Sequence, residues 1–556
     1  MQISDLDYRQ RYETLAQEEA RRWEEITRNL ISNWTELFRE QARRHAARTV
    51  IRETESGASY SYADLDRASD AVADHIRAHI PDSRIGLHYK NSFLFLAALI
   101  GINKTGRLAI LFNTNEPQER LQHLARQAET ESVLGNAIAG LRRYDIGTMI
   151  DTPVQAPIGT ADLRTTLDDP AFVIFTSGTS GPSKPALFSH RRMIGAGIAW
   201  SLRTFMQPKD NCYITLPLYH GNALAVAFSA IVTAGATATL RPKFSVTHFF
   251  EEVERFGVTH MVYIGELWRY LLNRHTEPRR TTLHTIFGNG LHKNLWIEAT
   301  NRYGIRHVVE HFGATEMPAS ALTNWMDLPG YCGYIPPDHP DAGDIMLIDE
   351  SGRPVPTGES GEAIFRVPGN RYRGYLDPTL DAPKTVMREG IMWWRSGDLL
   401  RRNEAGFFTF VDRAGDSYRY KGENVSTKDV EEALAKSPLI EEAVVYGIRL
   451  PHIEGKIGMA SILPSGPLDE AALQTLLHEL KQTLAPYALP HFLRIREERH
   501  PTTSTLKFQK KALSEEGIER YDTIPHYILA DEGYIPLDRT IYEALQSGDY
   551  TPGAGR

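Results

Sequence analysis

The chain of 556 residues holds only two cysteines, Cys212 and Cys332. That is too few for a disulfide framework or a thiolate metal centre, so a reducing, cytoplasmic setting is expected. Basic residues are not in surplus either: 62 Lys and Arg stand against 70 Asp and Glu, a formal net charge of −8. This disfavours a nucleic-acid partner, which needs positive charge to displace counterions. Long apolar runs are missing as well. Phe93 to Ile102 is apolar for ten residues, which suits a buried helix and falls short of the roughly 20 residues a bilayer needs. Ala223 to Leu240 is uncharged, but Gly235 and the surrounding threonines and alanines divide it into helix, turn and strand before Arg241-Pro242. The first thirty residues are densely charged and lack a signal-type apolar core. They read as an exposed helix, with neither secretion nor an integral membrane segment expected.

What is present is ordinary for a multidomain globular protein: 42% apolar and 24% charged residues, in a chain too long for one hydrophobic core. From about residue 50, short β-branched runs alternate with amphipathic segments. Ile85 to His88, Ala171 to Phe175, Tyr213 to Leu216, His260 to Ile264 and Thr285 to Gly288 read as strands, and Ala63 to Ile80 and Phe93 to Asn103 as helices. The fold class is therefore α/β. Beyond Asp412-Arg413 the character changes to a smaller segment with a helix start at Ser426-Thr427. The expected organisation is a helical extension over 1–50, a large domain of layered α/β subdomains over 51–414, and a small mobile α+β domain over 415–556, with Gly415 as a pivot.

The stretch FTSGTSGPSK, Phe175 to Lys184, directly follows an apolar strand pattern. Gly178 and Gly181 let successive amides converge on an anion; Thr176, Ser177, Thr179 and Ser180 add hydroxyls, and Lys184 adds charge. A Walker loop would place its lysine directly after glycine and before Ser or Thr, but here Ser183 precedes it and Pro185 follows. By itself the stretch is either a phosphate grip or an ordinary polar turn.

Four further motifs follow in order: HFGATEMP (311–318), WWRSGDLL (393–400), DRAGDSYRYKGENVS (412–426) and TSTLKFQKK (503–511). Together they resemble the adenylate-forming superfamily of acyl-CoA synthetases, luciferases and peptide-synthetase adenylation domains. Within it, INKTGRLAILFNTN (102–115), YIGELWRYLLN (263–273), FGNGL (287–291), GENVSTKDVEEAL (422–434) and YIPLDRTIYEAL (534–545) look like the fatty acid transport protein, or very-long-chain acyl-CoA synthetase, branch. The resemblance covers roughly residues 55 to 550.

The resemblance implies an acid:CoA ligase. A carboxylate attacks the α-phosphorus of ATP, pyrophosphate leaves, and a thiol, CoA, then attacks the acyl carbon of the acyl-adenylate. It assigns the 175–184 loop to the β- and γ-phosphates, Thr315 to the α-phosphate and Glu316 to Mg²⁺. Phe312, beside Gly313, stacks on adenine, with Gly288, Asn289 and Gly290 against its other face. Asp398 accepts the ribose hydroxyls, joined by Arg413. His220, in PLYHGNAL, lines the carboxylate pocket and thiol channel. Lys507 bridges carboxylate and α-phosphate, and rotation of the small domain about Gly415 replaces it with the Lys421-Gly422-Glu423 loop.

Two departures bear on the substrate. Met317 stands where most branch members have a small residue, and Trp268 occupies a helix that commonly carries something smaller there. If both face the acyl tunnel they shorten it, favouring an aromatic or medium-size acid over a very long one. Two other functions stay open. One is an adenylating enzyme with a different acceptor, a carrier protein or nitrite activated to diazotise an arylamine; the other is a non-catalytic acyl- or nucleotide-binding protein. A homodimer is compatible with each.

Overall fold

The computed structural model describes residues 5–151, 165–176, 183–318, 322–370, 372–420, 423–453, 455–500, 508, 510–550 and 552. Two mainly parallel sheets form the centre of the large region. The six-stranded sheet runs Arg142–Tyr144, Ser132–Gly135, Arg84–His88, Leu108–Leu111, Pro170–Thr176 and Lys184–Ser189, the last antiparallel to its neighbour. In the eight-stranded sheet, the six strands from His307–Phe312 through Thr285–Asn289, His260–Ile264, Asn211–Ile214 and Thr237–Leu240 to Thr49–Glu53 are parallel, with antiparallel edge strands. Parallel sheets need both faces covered. The Phe93–Lys104 helix, apolar nearly all round, is buried over almost its whole length. Its one cation, Lys104, has no exposed side chain and is paired with Asp66 at 2.5 Å and Asp70 at 2.7 Å.

A third sheet is antiparallel, ordered Gly333–Tyr334, Phe407–Arg413, Ile391–Arg402, Ser360–Arg366 and Ile345–Ile348. It presents Asp398 and Arg413 as cross-strand partners. Further along the chain, a five-stranded sheet from Ile440–Ile448 to Gly533–Pro536 carries its own core, including Leu434, Val444, Met459, Leu476, Phe492 and Ile528. A separate core is what allows a segment to move as a unit.

The uncharged stretch resolves as its pattern predicts. A π-helix over Asn222–Phe228 continues as an α-helix to Ala234, Gly235 ends it at φ 69°, and Thr237–Leu240 is a strand. Among the described residues no helix is long and apolar enough to cross a membrane. The N-terminal reading needs correction. The Asp5–Arg28 helix is docked instead of exposed: Tyr8 packs edge-on against Phe407 at 5.2 Å, and Ile26 is buried. The next helix, Trp34–Arg44, buries Phe38 completely, and Trp34 Nε1 donates to Asn103 Oδ1 at 2.8 Å.

Candidate active site

The C-terminal ends of the parallel strands open onto a cavity of about 1630 Å³. Single small-molecule sites run to about 1,000 Å³, so the space exceeds what one ligand needs. Both regions of the chain line it: Thr176, Lys184, His220, Asn289, Gly313, Thr315, Glu316, Met317, Asp398, Arg413 and Gly415 from one side, Arg449, Lys456, Lys510 and Lys511 from the other. Ser177, Gly178, Thr179, Ser180, Gly181, Lys421, Gly422 and Lys507 lie outside the described residues, and Glu423 begins the Glu423–Val425 strand.

The flank of the 175–184 loop and the Glu316 segment are tied together by residues that the motifs did not single out. Thr176 Oγ1 donates to the Lys184 carbonyl at 3.3 Å. The strand beyond Lys184 then holds the 374–376 segment, through Leu376 N to Pro185 O and Leu187 N to Gly374 O, both 2.9 Å. This places Tyr375, whose hydroxyl donates to Glu316 Oε1 at 3.1 Å and whose ring lies 5.8 Å from Lys184 Nζ. Tyr372 adds a hydrogen bond to the Glu316 carbonyl at 3.0 Å. Burial, with the Glu316 charge, pushes both phenols upward, so they remain donors at neutral pH. Arg192 joins Tyr375 in the cavity wall; burial pulls its guanidinium down to about 10 against the opposing pull of Tyr372 and Glu316, and it stays a cation.

Across the cavity, Asp398 Oδ1 lies 3.9 Å from Arg413 Nε. Thr315 faces the turn after His220, its Oγ1 lying 3.9 Å from where a Cβ on Gly221 would stand. Gly415 has open space where a Cβ would lie and no positive φ. Nearby Asp412 holds the first residue of the next helix, accepting from Thr427 N at 2.7 Å and Thr427 Oγ1 at 3.0 Å, while Ser426 caps it.

Three of the assigned residues lie off the cavity wall. Phe312 does not line the cavity. Alternation along the His307–Phe312 strand sends its ring into the antiparallel sheet, stacked on Phe365 at 6.0 Å, and presents His311 to the cavity instead. Trp268 does not line it either; fully buried, its ring lies 6.2 Å from those of Phe249 and Tyr303. At Gly288 a Cβ would sit 2.0 Å from the Tyr263 carbonyl, so a side chain there would meet the neighbouring strand. Gly288→Ala should therefore lower stability by about 1–3 kcal/mol through backbone displacement, read by denaturant unfolding.

His311, the first residue of HFGATEMP, and Glu310 just before it carry roles that the motif does not assign. His311 Nδ1 donates to the Gly288 carbonyl at 2.7 Å, and burial pulls the imidazole down to about 4, so it is neutral. Glu310 holds the turn after the Thr285–Asn289 strand, accepting from Gly290 N, from Leu291 N at 3.2 Å and from Tyr263 Oη at 2.5 Å. Burial pushes its carboxyl up to about 8 from an ordinary 4.5. Folding thus favours the protonated form, and the stability this group contributes is full below about pH 4.5 and lost as pH rises through about 8. Glu310→Gln should flatten the fall in melting temperature between about pH 4.5 and 8.

A model described as AMP-binding enzyme matches residues 38–376, and one described as AMP-binding enzyme C-terminal domain matches 429–507. The chain belongs to the AMP-binding enzyme family. It is an enzyme of the AMP-forming acyl-CoA ligase type. It is 35% identical over 550 residues to a medium/long-chain-fatty-acid–CoA ligase, FadD6, of Mycobacterium tuberculosis, covering 92% of this chain and 91% of the relative. To human long-chain fatty acid transport protein 1 it is 31% identical over 569 residues, covering 92% and 87%. The fold matches ATP-bound MatB from Rhodopseudomonas palustris (TM-score 0.75, 22% identity, 87% of this chain and 98% of that one). It also matches a benzoate CoA ligase from Burkholderia xenovorans (TM-score 0.75, 21% identity, 87% and 99%).

Proposed function

We propose that this AMP-binding enzyme activates a carboxylic acid with ATP and transfers the acyl group to CoA. The carboxylate oxygen bonds to the α-phosphorus as pyrophosphate leaves; the CoA thiol then bonds to the acyl carbon and AMP departs. The observation that carries this reading is the convergence of Lys184, Glu316 and the Asp398–Arg413 pair on one cavity. A carboxylate, two threonine hydroxyls and the cations Lys184 and Arg192 form a donor set that fits a polyphosphate with a hard divalent ion. Bound there, Mg²⁺ would neutralise charge on the phosphate oxygens.

In this reading Glu316 would hold the ion, oriented by Tyr375, while Thr176, Lys184 and the 177–181 loop grip the β- and γ-phosphates. Thr315 would donate to the α-phosphate. Asp398, beside Arg413, would accept the ribose hydroxyls, and Asn289 at the cavity wall would meet the base. His220 would line the passage between acid and thiol. Lys507 would offset the charge built up as carboxylate and α-phosphate approach. A body over 51–414 and a lid over 415–556 would turn about Gly415, bringing Lys421, Gly422 and Glu423 in for the second step.

An aromatic or medium-size acid is the favoured substrate. Met317 lines the cavity, as do Trp200 and the ring of His311, 4.9 Å apart and edge-on. The fatty-acid specificity in the names of the relatives points to longer chains, and the benzoate ligase to aryl acids. Acid-dependent AMP and acyl-CoA formation across a panel of both kinds tests this. Medium-chain or aryl acids should lead, and turnover confined to very long chains would contradict it. AMP release needing a carrier protein, or nitrite with an arylamine, in place of CoA would reassign the acceptor.

A further inference from the structure

One wall of the cavity precedes the segment that defines the family. The family match begins at residue 38, yet Glu19 and Trp23 of the N-terminal helix line the cavity. They are held in place: Glu19 ion-pairs with Arg203, whose Nε donates to Thr323 Oγ1 at 2.8 Å, and the helix is anchored by buried Tyr8 and Ile26. Along the His190–Arg203 helix, Arg192, Gly195, Ala196, Ala199 and Arg203 face the same space. Their spacing of three to four residues makes one stripe about 16 Å long. Its middle is glycine and alanine, which leaves a groove beside the helix. Trp23 sits over that gap, since a Cβ on Gly195 would lie 3.2 Å from Trp23 Cζ2.

We infer that the N-terminal helix is a wall of the acid pocket. In it, Trp23 limits the length of acid admitted, and the Glu19–Arg203 pair receives a hydrogen-bonding substituent. The inference rests on the acid-activating reading of the cavity. The indole rests directly on Gly195 and fills that part of the groove, so the pocket ends there. A longer methylene chain would have to displace the indole and bring an apolar end against a largely buried ion pair, desolvating charge without compensation. A ring amino or hydroxyl group would instead donate to the Glu19 carboxylate. The substrate class is thus a short acid carrying a donor substituent, of which aminobenzoic and hydroxybenzoic acids are examples, with long saturated acids excluded.

The test measures acid-dependent pyrophosphate release by the full chain with benzoic, aminobenzoic and hydroxybenzoic acids and with straight-chain acids from six to sixteen carbons. Trp23→Ala should raise kcat/KM for the longer acids by about tenfold or more and change benzoate by less than about threefold. Trp23→Phe, which keeps an aromatic in the packing, should move the length limit part of the way. Glu19→Gln should lower the ratio of kcat/KM for aminobenzoate over benzoate by about tenfold. Glu24→Ala, on the exposed face of the same helix, should leave the profile unchanged. A length profile identical in wild type, Trp23→Ala and Trp23→Phe overturns the inference while leaving adenylation standing. Absence of pyrophosphate release by the wild type with every acid defeats the adenylation reading itself, and the inference with it.

Discussion

Glu316→Gln is expected to lower acid-dependent pyrophosphate release by about 10²–10³-fold, the scale of losing one preorganised charge contact in a transition state. The substitution preserves volume, and Tyr375, which donates to Glu316 Oε1 at 3.1 Å, can donate equally to an amide oxygen. The fold should therefore persist with an unchanged melting temperature. What is lost is the anionic oxygen a hard divalent ion requires. The distinguishing signature is in the metal dependence: the Mg²⁺ concentration for half-maximal rate should rise steeply, while metal-free nucleotide binding, measured by calorimetry, changes little. A variant with wild-type turnover would remove Glu316 from the metal site.

Lys507→Ala should cost adenylation about 10²–10³-fold and leave ATP binding in place. Two anions must approach each other in the first step, and only a cation positioned between them relieves the repulsion at that moment. Lys510 cannot replace it, because its ammonium is committed to Thr427 Oγ1 at 2.7 Å and Glu431 at 2.9 Å. Lys511 lines the cavity from the following position. Thioester formation from synthetic acyl-adenylate and CoA should be nearly unaffected, since Lys507 acts only before pyrophosphate leaves. Equal losses in both half-reactions would make the lysine structural, and no loss in either would exclude it.

The parts of this account that were legible in the sequence are those written as contiguous motifs at strand ends. The alternation of strands and helices gave the α/β layers, and Thr176, Lys184, Thr315, Glu316, Asp398 and Arg413 do meet at one cavity. What the sequence hid depends on side-chain direction or on distant segments. Phe312 and His311 are adjacent, and only strand geometry decides which one faces the cavity. Trp268 is large for its place in the helix and would shorten a tunnel only if it faced one; packing against Phe249 and Tyr303 turns it into the core. Tyr372 and Tyr375 reach Glu316 from more than fifty residues away, with a Gly-Tyr pair in a turn-rich stretch as their only sequence signal. The N-terminal helix carries so much charge that it reads as solvent-facing; Tyr8, Trp23 and Ile26 lie on the side that docks, and the charged majority covers the rest.

The central claim is that the cavity joins a carboxylate to the α-phosphorus of ATP, and isotope exchange between pyrophosphate and ATP tests it most directly. With Mg²⁺ and a medium-size or aryl acid, and without CoA, the account predicts labelled pyrophosphate entering ATP at a rate that depends on the acid. Exchange that is absent for every acid while ATP is still bound, or turnover that yields ADP and phosphate instead of AMP and pyrophosphate, would contradict it.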